Sequence, residues 1–416
     1  MIRKFILLLL IALPLSAQDE AFFIERIEVR NHDRVSPDVV IAESRLREGR
    51  AYSEAELRDA STRLGRLPFL LSVDFALEKG SERGNYVLVL TLQETRTFFF
   101  LADLQPHFDG QDAESVIPDD ESRGATSENL ALGFRWFVGR RGALHIAFSG
   151  GDRRREFARE YAAFSVGYTQ YDLFGTRAFA TLNLRKIVDF EDTGISPQLV
   201  VGVPLSANQT LTLQYDELQA RRDGLFSILR SYDETYSQRL ISARLSYNTT
   251  NEPFFPTRGV HLYGGPIAGW TDGEVDYRDE PYTPYAFHSR FYGIEGGAAR
   301  YFELTDRDSV WGDVRGEWSS NERSASNVPP DGVIPDENVV YGSVGIGYSH
   351  SLWSREQRAN GDSRFEMTAR YANRDRWIDS DPHDAGWRDN EVFQIGGAWV
   401  RRTSFGTLRL GVGYAW

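Results

Sequence analysis

Residues 406–416 have the sequence Gly-Thr-Leu-Arg-Leu-Gly-Val-Gly-Tyr-Ala-Trp. Large apolar residues alternate strictly with small or polar ones, at positions Leu408, Leu410, Val412, Tyr414 and Trp416. Successive side chains of a β-strand point to opposite faces, so this alternation predicts a strand with one apolar face and one polar or small face. A barrel wall that stands in lipid is built from such strands, and a soluble edge strand is the alternative interpretation.

The first 17 residues have the pattern of a secretory signal peptide. Arg3 and Lys4 precede an unbroken apolar run from Phe5 to Leu13, and Ser16-Ala17 offers a small-residue cleavage site. A membrane-spanning helix needs roughly 20 apolar residues, and this run is only about half that long. We therefore predict a signal peptide over residues 1–17, with an uncleaved membrane anchor as the alternative.

Composition and charge narrow the function classes. The chain of 416 residues contains no cysteine, which excludes thiol chemistry and thiolate metal sites. A net charge of −13 argues against nucleic acid as a partner. Aromatic residues make up 13% of the chain and there are 37 glycines, which suits barrel walls and interfacial girdles. Together with the export sequence, these features predict a protein of the Gram-negative cell outer membrane, in contact with outer-membrane lipids and lipopolysaccharide.

The residues after the signal peptide have the pattern of a small α/β module. Alternation around Ile27 predicts a strand, and a first helix follows it. Ser53 and Glu56 form a capping-box pattern at the start of a second helix. Phe69–Leu77 and Tyr86–Leu92 alternate as two further strands. The predicted order is β-α-α-β-β.

From Phe98 onwards, short amphipathic strands repeat. Short turns alternate with long polar segments at 110–126, 222–236, 271–285 and 376–389, as in barrels with short periplasmic turns and long surface loops. About fifteen candidate strands can be counted from the alternation. A barrel whose two ends face the same side needs an even number, so we predict a transmembrane antiparallel β-barrel of about 16 strands, with 14 as the alternative.

The two regions together resemble the BamA/TamA superfamily, in which POTRA domains precede an outer-membrane β-barrel. Tyr171-Asp-Leu-Phe-Gly-Thr176 is similar to the family's Asn-Leu-Phe-Gly turn, and the string Phe255, Pro256, Thr257, Arg258, Gly259 is similar to its Phe-Pro-Thr-x-Gly turn. The terminal strand resembles the family's assembly signal. The resemblance implies a signal peptide over 1–17, one periplasmic POTRA domain over 21–94 and a barrel over 96–416.

The resemblance also implies a function, namely assembly and insertion of outer-membrane proteins or translocation of polypeptide. A POTRA domain of this family adds a client strand to the edge of its sheet, which places client binding at Phe69, Val73 and Phe75. The client then reaches the seam between the first and last barrel strands, formed on one side by Leu408, Leu410, Gly411, Val412, Gly413, Tyr414 and Trp416. The two glycines predict weak packing there. Unfolded client polypeptide and subunits of an assembly complex are the implied partners, and no cofactor is implied.

One motif of the family is missing where it is expected. The family's sixth surface loop bears Val-Arg-Gly followed by an aromatic residue, and the interval 319–338 contains no such string. Val314-Arg315-Gly316-Glu317 is the nearest match, although the alternation around it favours a strand. Arg315 is therefore our candidate for the lumenal arginine, and without an equivalent arginine the family's transport mechanism is in doubt.

Two other functions remain open. Lumenal arginines such as Arg135, Arg185, Arg244 and Arg370 would equally line a passive or gated outer-membrane pore. A lipid-modifying enzyme needs a nucleophile with a base, and the sequence has no Gly-x-Ser-x-Gly and no His-Glu-x-x-His motif. In Ser349-His350-Ser351, adjacent strand residues face opposite sides, which opposes a serine–histidine pair. We predict no catalytic site and no metal site.

Overall fold

The structure, a computed structural model, contains two separate β-sheets. It describes residues 21–415, except for 66, 106, 110–126, 140, 156, 190–191, 228–229, 253–254, 278–283, 327–335, 354–361 and 380–385. The predicted signal peptide and Trp416 lie outside the described residues. None of the described helices combines the length and the apolar character that crossing a bilayer would require.

The N-terminal α/β unit contains the smaller sheet. Its elements are β1 (Ala21–Arg30), α1 (Pro37–Ser44), β2 (Arg50–Ser53), α2 (Glu54–Gly65), β3 (Leu70–Lys79) and β4 (Asn85–Glu94). The sheet order is β2-β1-β4-β3, in which β1 and β4 are parallel and the other pairs antiparallel. The structure adds β2 to the predicted β-α-α-β-β order. With 4 residues, β2 is too short for an alternation pattern to reveal it.

Local sequence explains both helix starts. Ser53 and Glu56 form the predicted capping box: the Glu56 amide donates to Ser53 Oγ at 3.2 Å, and the Ser53 amide donates to Glu56 Oε2 at 2.8 Å. Ser36 makes no side-chain cap, so α1 starts on the fixed φ of Pro37; it ends at Ser44, and the C-cap residue Arg45 has a φ of 61°. The apolar faces of the helices cover the sheet around Ile24, Leu57, Leu64, Leu88 and Leu90.

The larger sheet closes into a barrel. Its strands are β5 (Phe98–Gln105), β6 (His107–Asp109), β7 (Ser127–Val138), β8 (Gly142–Arg155), β9 (Phe157–Leu173), β10 (Ala178–Asp189), β11 (Asp192–Pro204), β12 (Gln209–Ser227), β13 (Arg230–Asn248), β14 (Gly259–Tyr277), β15 (Tyr285–Glu303), β16 (Asp308–Ser326), β17 (Asp336–Ser351), β18 (Asp362–Asp379), β19 (Gly386–Thr403) and β20 (Gly406–Ala415). Neighbours along the chain pair antiparallel from β7 to β20.

The ring has 15 strand positions among the described residues, because β6 continues β5 along β20 in the same register. Neither the predicted number of 16 strands nor the alternative of 14 is therefore confirmed. The ring has the fifteen strands that the alternation pattern itself indicated. The premise of an even number fails because β20 runs parallel to β5, so that both strands start at the same end of the ring. We call this end, where the N-terminal unit lies, the proximal end, and the opposite end the distal end.

The outward face of the wall is apolar over a limited height. On β14 the outward positions from Val260 to Trp270 are apolar or small, and Leu262 is 41% exposed. Eleven residues at about 3.4 Å each, tilted by about 40°, give a band roughly 28 Å tall, close to the apolar band of outer-membrane barrels. Large aromatic side chains end the band distally at Trp270, Tyr292 and Trp318. The barrel thus has the outer surface of a membrane-spanning protein.

Beyond this girdle the strands continue where long loops were predicted. β12 and β13 pair from Gln209 to Ser227, so most of the predicted 222–236 loop is a hairpin. Likewise β14 extends to Tyr277 and β18 to Asp379, inside the segments predicted as loops. The loop prediction was wrong there because polar residues occupy both faces of these strands, so apolar and polar residues no longer alternate. The wall consequently rises past the apolar band on this side.

Candidate functional site at the proximal mouth of the barrel

The turn between β13 and β14, described over residues 249–252 and 255–258, folds into the proximal mouth, and we call these residues the inward turn. Asn251 holds it from within: its Oδ1 accepts the amides of Thr257 and Arg258 at 3.0 Å each, and its Nδ2 donates to Thr257 Oγ1 at 2.9 Å. Gly259 has a φ of 109°, and a Cβ there would collide with the Thr249 carbonyl. In the structure the family-like string Phe255–Gly259 is thus a tight turn with a positive-φ glycine.

A buried arginine fixes the inward turn to the far wall. Arg364 on β18 is only 1% exposed. Its guanidinium lies 2.6 Å from Asp362 Oδ2, 3.3 Å from Glu252 Oε2 of the inward turn, and 4.7 Å from the centre of the Phe255 ring. Outward-facing Phe365 and Met367 are 51% and 63% exposed, so the alternate residues of β18 face the lumen. The ion pair therefore lies inside the barrel.

The inward turn also packs against β19. Phe255 forms a buried cluster with Ala398 and Val400 on the lumenal face of that strand. Because β13 and β14 lie on one side of the ring and β18 and β19 are four or more strands away, the turn crosses the mouth. Its buried Phe255 and Thr257 therefore narrow the lumen at the proximal end.

The N-terminal unit touches the same turn from outside. Thr62 Oγ1 on α2 donates to the Asn251 carbonyl at 3.0 Å. Arg402 on β19, one of the lumenal residues near Glu252, donates from Nη2 to the Leu70 carbonyl at 3.2 Å. The inward turn is thus held between the unit and the barrel wall.

Aromatic residues dock the unit on the opposite rim. Phe69 lies with its ring centre 4.8 Å from that of Phe137 and 5.6 Å from that of Tyr171, both edge-to-face. Next to them, Arg135 Nη1 donates to the Pro68 carbonyl at 2.6 Å. Phe69, predicted as a client-binding residue, is therefore a docking residue that contacts the barrel.

A second docking contact involves α1 and two proximal turns. Arg45 donates to the carbonyls of Ser206 and Ala207 and, at 2.9 Å, to Thr210 Oγ1. Arg177, in the turn that contains Leu173-Phe-Gly175, donates to the Arg45 carbonyl at 3.0 Å. Burial lowers the pKa of Arg45, although the nearby Glu43 opposes that shift. Arg177, which directly follows the family-like turn 171–176, thus contacts the N-terminal unit.

Glu43 is the titratable group that stands out at this contact. Its pKa is raised to about 7, because burial raises it more than the nearby Arg45 lowers it, and Asp172 adds a smaller increase. Its Oε1 atom is buried without a hydrogen-bond partner in the described part of the chain. A carboxyl group in such a place favours its neutral form, so we expect docking of the unit to depend on pH.

Charged pairs line the lumen above the mouth. Arg244 pairs with Glu295, and Arg409 lies 3.4 Å from Glu366. Asp313 on β16 accepts a hydrogen bond from Arg370 at 2.9 Å and forms an ion pair with Arg315 at 3.3 Å. Val314 faces outward, so Arg315 is a lumenal strand residue, as the alternation predicted.

The terminal strand β20 has the same alternation, since Leu410, Val412 and Tyr414 are exposed on the outer face.

The seam is the parallel pairing of β5 and β6 with β20. Gly406–Leu410 pairs with Phe100–Leu104, and Gly413–Ala415 pairs with His107–Asp109. By contrast, β15 and β16 pair along their whole length from 286 to 303. Parallel pairing is slightly less stable per residue than antiparallel pairing. The seam is thus a short parallel ladder in an otherwise antiparallel wall.

The sequence interpretation missed the key residues of the mouth, namely Arg364, Glu252 and Glu43. Asp362 and Arg364 lie two apart on a strand, which puts both on one face and was a usable indication. In the described part of the chain, no three histidine, aspartate or glutamate side chains are grouped so as to hold a metal ion.

Comparisons with known proteins give structural matches alone. No family model matches the sequence, and no curated protein matches it. The structure of BamA from Haemophilus ducreyi lacking POTRA domains 1–3 matches with a TM-score of 0.40 and 11% identity, over 95% of this chain and 85% of that one. CdiB from Escherichia coli matches with a TM-score of 0.43 and 13% identity, over 95% and 73%. The alcaligin receptor FauA from Bordetella pertussis matches with a TM-score of 0.37 and 9% identity, over 78% and 62%.

Proposed function

We propose that this chain is an outer-membrane protein of the BamA/TamA superfamily and inserts or translocates polypeptide across the outer membrane. In this proposal the N-terminal α/β unit is a periplasmic POTRA domain. The observation that supports it best is the arrangement at the proximal mouth. There an α/β unit with an open sheet edge is docked against the barrel, and the inward turn narrows the lumen. Both family-like turns lie at this mouth and make contacts there, which explains their sequences in structural terms.

The client is captured at the edge of β3. Among the described strands, β3 pairs with β4 alone. Arg402 donates a hydrogen bond to the Leu70 carbonyl, and Ser61 Oγ donates one to the Val73 carbonyl. These backbone acceptors at the start of β3 are therefore already used. From Asp74 to Lys79 the exposed side chains alternate along the strand, and an extended peptide can pair there. We therefore shift the predicted client site from Phe69, Val73 and Phe75 towards Asp74–Lys79.

The client then adds to the barrel at the seam. Opening this short ladder exposes the edges of β5 and β20, which provide backbone donors and acceptors for an incoming strand. Outer-membrane lipids bathe the outward apolar face, so a strand that pairs there is already at the membrane. No catalytic step and no cofactor is required.

The absence of cysteine makes disulfide locking a clean test. Ala102 and Leu408 are register partners across the seam, whereas Arg401 and Leu408 are partners within β19–β20. We expect the oxidised Ala102→Cys/Leu408→Cys variant to stop the folding of a urea-unfolded outer-membrane barrel into vesicles, and a reductant to restore it. The Arg401→Cys/Leu408→Cys variant is the matched control and should stay active when oxidised. Equal activity of both oxidised variants would contradict a working seam.

A passive or gated pore is the second candidate, and the charged pairs of the lumen favour it. Single-channel conductance separates the two functions when the mature chain is compared with one that lacks residues 18–94. A steady conductance that is the same with and without residues 18–94 supports the passive pore. Large fluctuating openings that change with the deletion support a gated translocation pore.

An enzyme is the weakest candidate. His350 Nδ1 lies 2.8 Å from Asp308 Oδ1, in a cluster with outward-facing Tyr348, whereas Ser349 Oγ lies 3.1 Å from Ser309 Oγ on the buried, lumenal side. Histidine and serine thus face opposite sides, and we propose that the protein is not an enzyme.

A further inference from the structure

A cavity of about 220 Å³ lies between the N-terminal unit and the barrel, at the segment that links them. Its walls come from both parts. Val35 and Phe69 line it from the unit, Arg96 lines it from the link, and Arg135 and Phe137 line it from the proximal end of β7. The function proposed above gives this cavity no role.

The lining of the cavity has a surplus of positive charge. Three arginines and one glutamate line it, which gives a net charge of +2. The glutamate, Glu94, is only 7% exposed and is fully engaged: its Oε1 accepts the amides of residues 33–35 at 2.9 to 3.1 Å, and its Oε2 accepts Arg34 Nε at 3.0 Å. Glu94 therefore neutralises Arg34 and leaves the charges of Arg96 and Arg135 without a carboxylate partner among the described residues.

Both of these arginines keep donors for a ligand. A guanidinium group has about five N–H donors. In Arg135, Nη1 donates to the Pro68 carbonyl at 2.6 Å, and the group lies 4.7 Å from the centre of the Phe99 ring. Arg135 Nε and Nη2 make no hydrogen bond within the described part of the chain, and neither atom is buried. The guanidinium of Arg96 contacts the ring of Phe405 alone there, at 5.7 Å.

The charge of Arg135 makes an anion favourable in this place. Arg135 is half-buried, so water solvates its charge incompletely. A charge that is removed from water without a counter-charge is unfavourable, and a bound anion offsets that cost. Guanidinium groups bind carboxylates through paired, charge-assisted hydrogen bonds. The two arginines therefore form the polar end of a site for a carboxylate.

The other walls and the volume limit the ligand. Val35 and Phe69 are each 3% exposed, and Phe137 stands edge-to-face on Phe69, so this part of the cavity is apolar. The volume equals that of roughly seven water molecules, and sites for drug-sized ligands start at about 300 Å³. We propose that this cavity binds a small organic acid, with its carboxylate on Arg96 and Arg135 and its apolar body against Phe69 and Phe137.

Such a ligand would hold the N-terminal unit on the barrel, because it contacts both parts at once. A ligand that binds only the docked form shifts the docking equilibrium by a factor of 1 + [L]/Kd. The cavity is then an effector site that controls how firmly the unit is docked. The proposal does not depend on what the barrel transports.

The experiment titrates 3-phenylpropanoate into the purified full chain in detergent, by isothermal calorimetry, with the heat of titration into detergent alone subtracted. We expect Arg96→Gln and Arg135→Gln each to weaken binding by about tenfold or more, through loss of a charged hydrogen bond. Arg135 also contacts Pro68, whereas the side chain of Arg96 makes no polar contact in the described part of the chain, so Arg96→Gln leaves the docked structure intact. The control is Arg83→Gln, the same charge change in the exposed turn between β3 and β4, which should bind as the unaltered chain does.

Two further ligands test the carboxylate and the size limit. The uncharged 3-phenylpropanamide has the same shape and should bind about tenfold more weakly or worse. Decanoate has the same carboxylate on a chain too long for the cavity, and it should also bind about tenfold more weakly. Equal binding of acid and amide, or of 3-phenylpropanoate and decanoate, would overturn the proposal. Absence of binding to the unaltered chain, or equal binding by Arg96→Gln and Arg83→Gln, would overturn it too.

Limited proteolysis tests the effect on docking. At a concentration of about 100 times its Kd, 3-phenylpropanoate should slow cleavage between the unit and the barrel in the unaltered chain and in Arg83→Gln. The same concentration should protect Arg96→Gln about tenfold less, since its binding is weaker by that factor. Protection that is equal in Arg96→Gln and Arg83→Gln would contradict a site at this cavity.

Discussion

Arg364 Nη2 on β18 and Glu252 Oε2 of the inward turn lie 3.3 Å apart, across the proximal mouth of the barrel. Arg364 also neutralises Asp362 and covers the ring of Phe255, so a single side chain satisfies charges from two distant parts of the chain. A buried ion pair adds little net stability, but removal of one partner strands the other charge. The pair is therefore better suited to fixing one position of the inward turn than to strengthening the barrel.

The first prediction concerns this pair. Replacement of Arg364 by Met removes the cation that pairs with both Asp362 and Glu252, at a cost of roughly 3–5 kcal/mol if the mouth keeps its form. We expect the inward turn to leave the mouth instead, which raises single-channel conductance. The control is Arg315→Met, because Arg370 still neutralises Asp313 in that variant. An unchanged conductance in Arg364→Met would show that the inward turn does not limit passage.

The second prediction concerns the aromatic docking contact. Phe137→Ala removes the ring that meets Phe69; loss of a fully buried phenyl group costs about 3–5 kcal/mol, and the partly buried Phe137 should cost less. Since Phe137 belongs to the barrel, the core of the N-terminal unit should survive while the unit detaches. Limited proteolysis between the unit and the barrel should then become several-fold faster. Phe134→Ala on the same strand is the control, because Phe134 is 52% exposed on the outer face.

The third prediction follows from the raised pKa of Glu43. Below its ordinary pKa of 4.5 the carboxyl group is neutral whether the unit is docked or free, so docking is strongest there. As pH rises from 4.5 to about 7, the free unit loses the proton while the docked unit keeps it, and docking weakens; above pH 7 the loss is complete.

Protease sensitivity of the linkage, measured from pH 5 to pH 8, checks this expectation. The unaltered chain should become more sensitive as pH rises, and Glu43→Gln should abolish the dependence. Glu54→Gln is the control, since Glu54 is exposed and pairs with Arg58 on the surface of α2. If the Glu43→Gln variant keeps the pH dependence of protease sensitivity, that dependence must come from another titratable group.

The fourth prediction tests the glycines of the terminal strand. Gly411→Val/Gly413→Val adds side chains that pack across the seam, and we expect slower folding of client barrels into vesicles, by several-fold. The matched control is Gly316→Val/Gly342→Val, a directly paired couple in the wall away from the seam with room for added carbons. If both variants slow insertion equally, the effect belongs to the barrel as a whole.

The predictability of the fold differed between its parts for physical reasons. Alternation identified the wall strands inside the apolar band, because lipid on one side and lumen on the other impose different chemistry on alternate residues, as at Val314 and Arg315. Where the wall rises past the band, both faces meet water, so the sequence pattern predicts a loop at 222–236 although the structure has strands there. β2 was missed because four residues provide no period.

The sequence by itself determined that this chain forms amphipathic strands after an α/β unit, with a tight turn at Phe255–Gly259, since each of these depends on neighbours along the chain. Tertiary structure decided the parallel closure of β20 on β5, the use of Phe69 as a docking residue and the meeting of Arg364 with Glu252. These depend on which strands become neighbours when the ring closes, and residues 112 positions apart leave no local pattern of their contact.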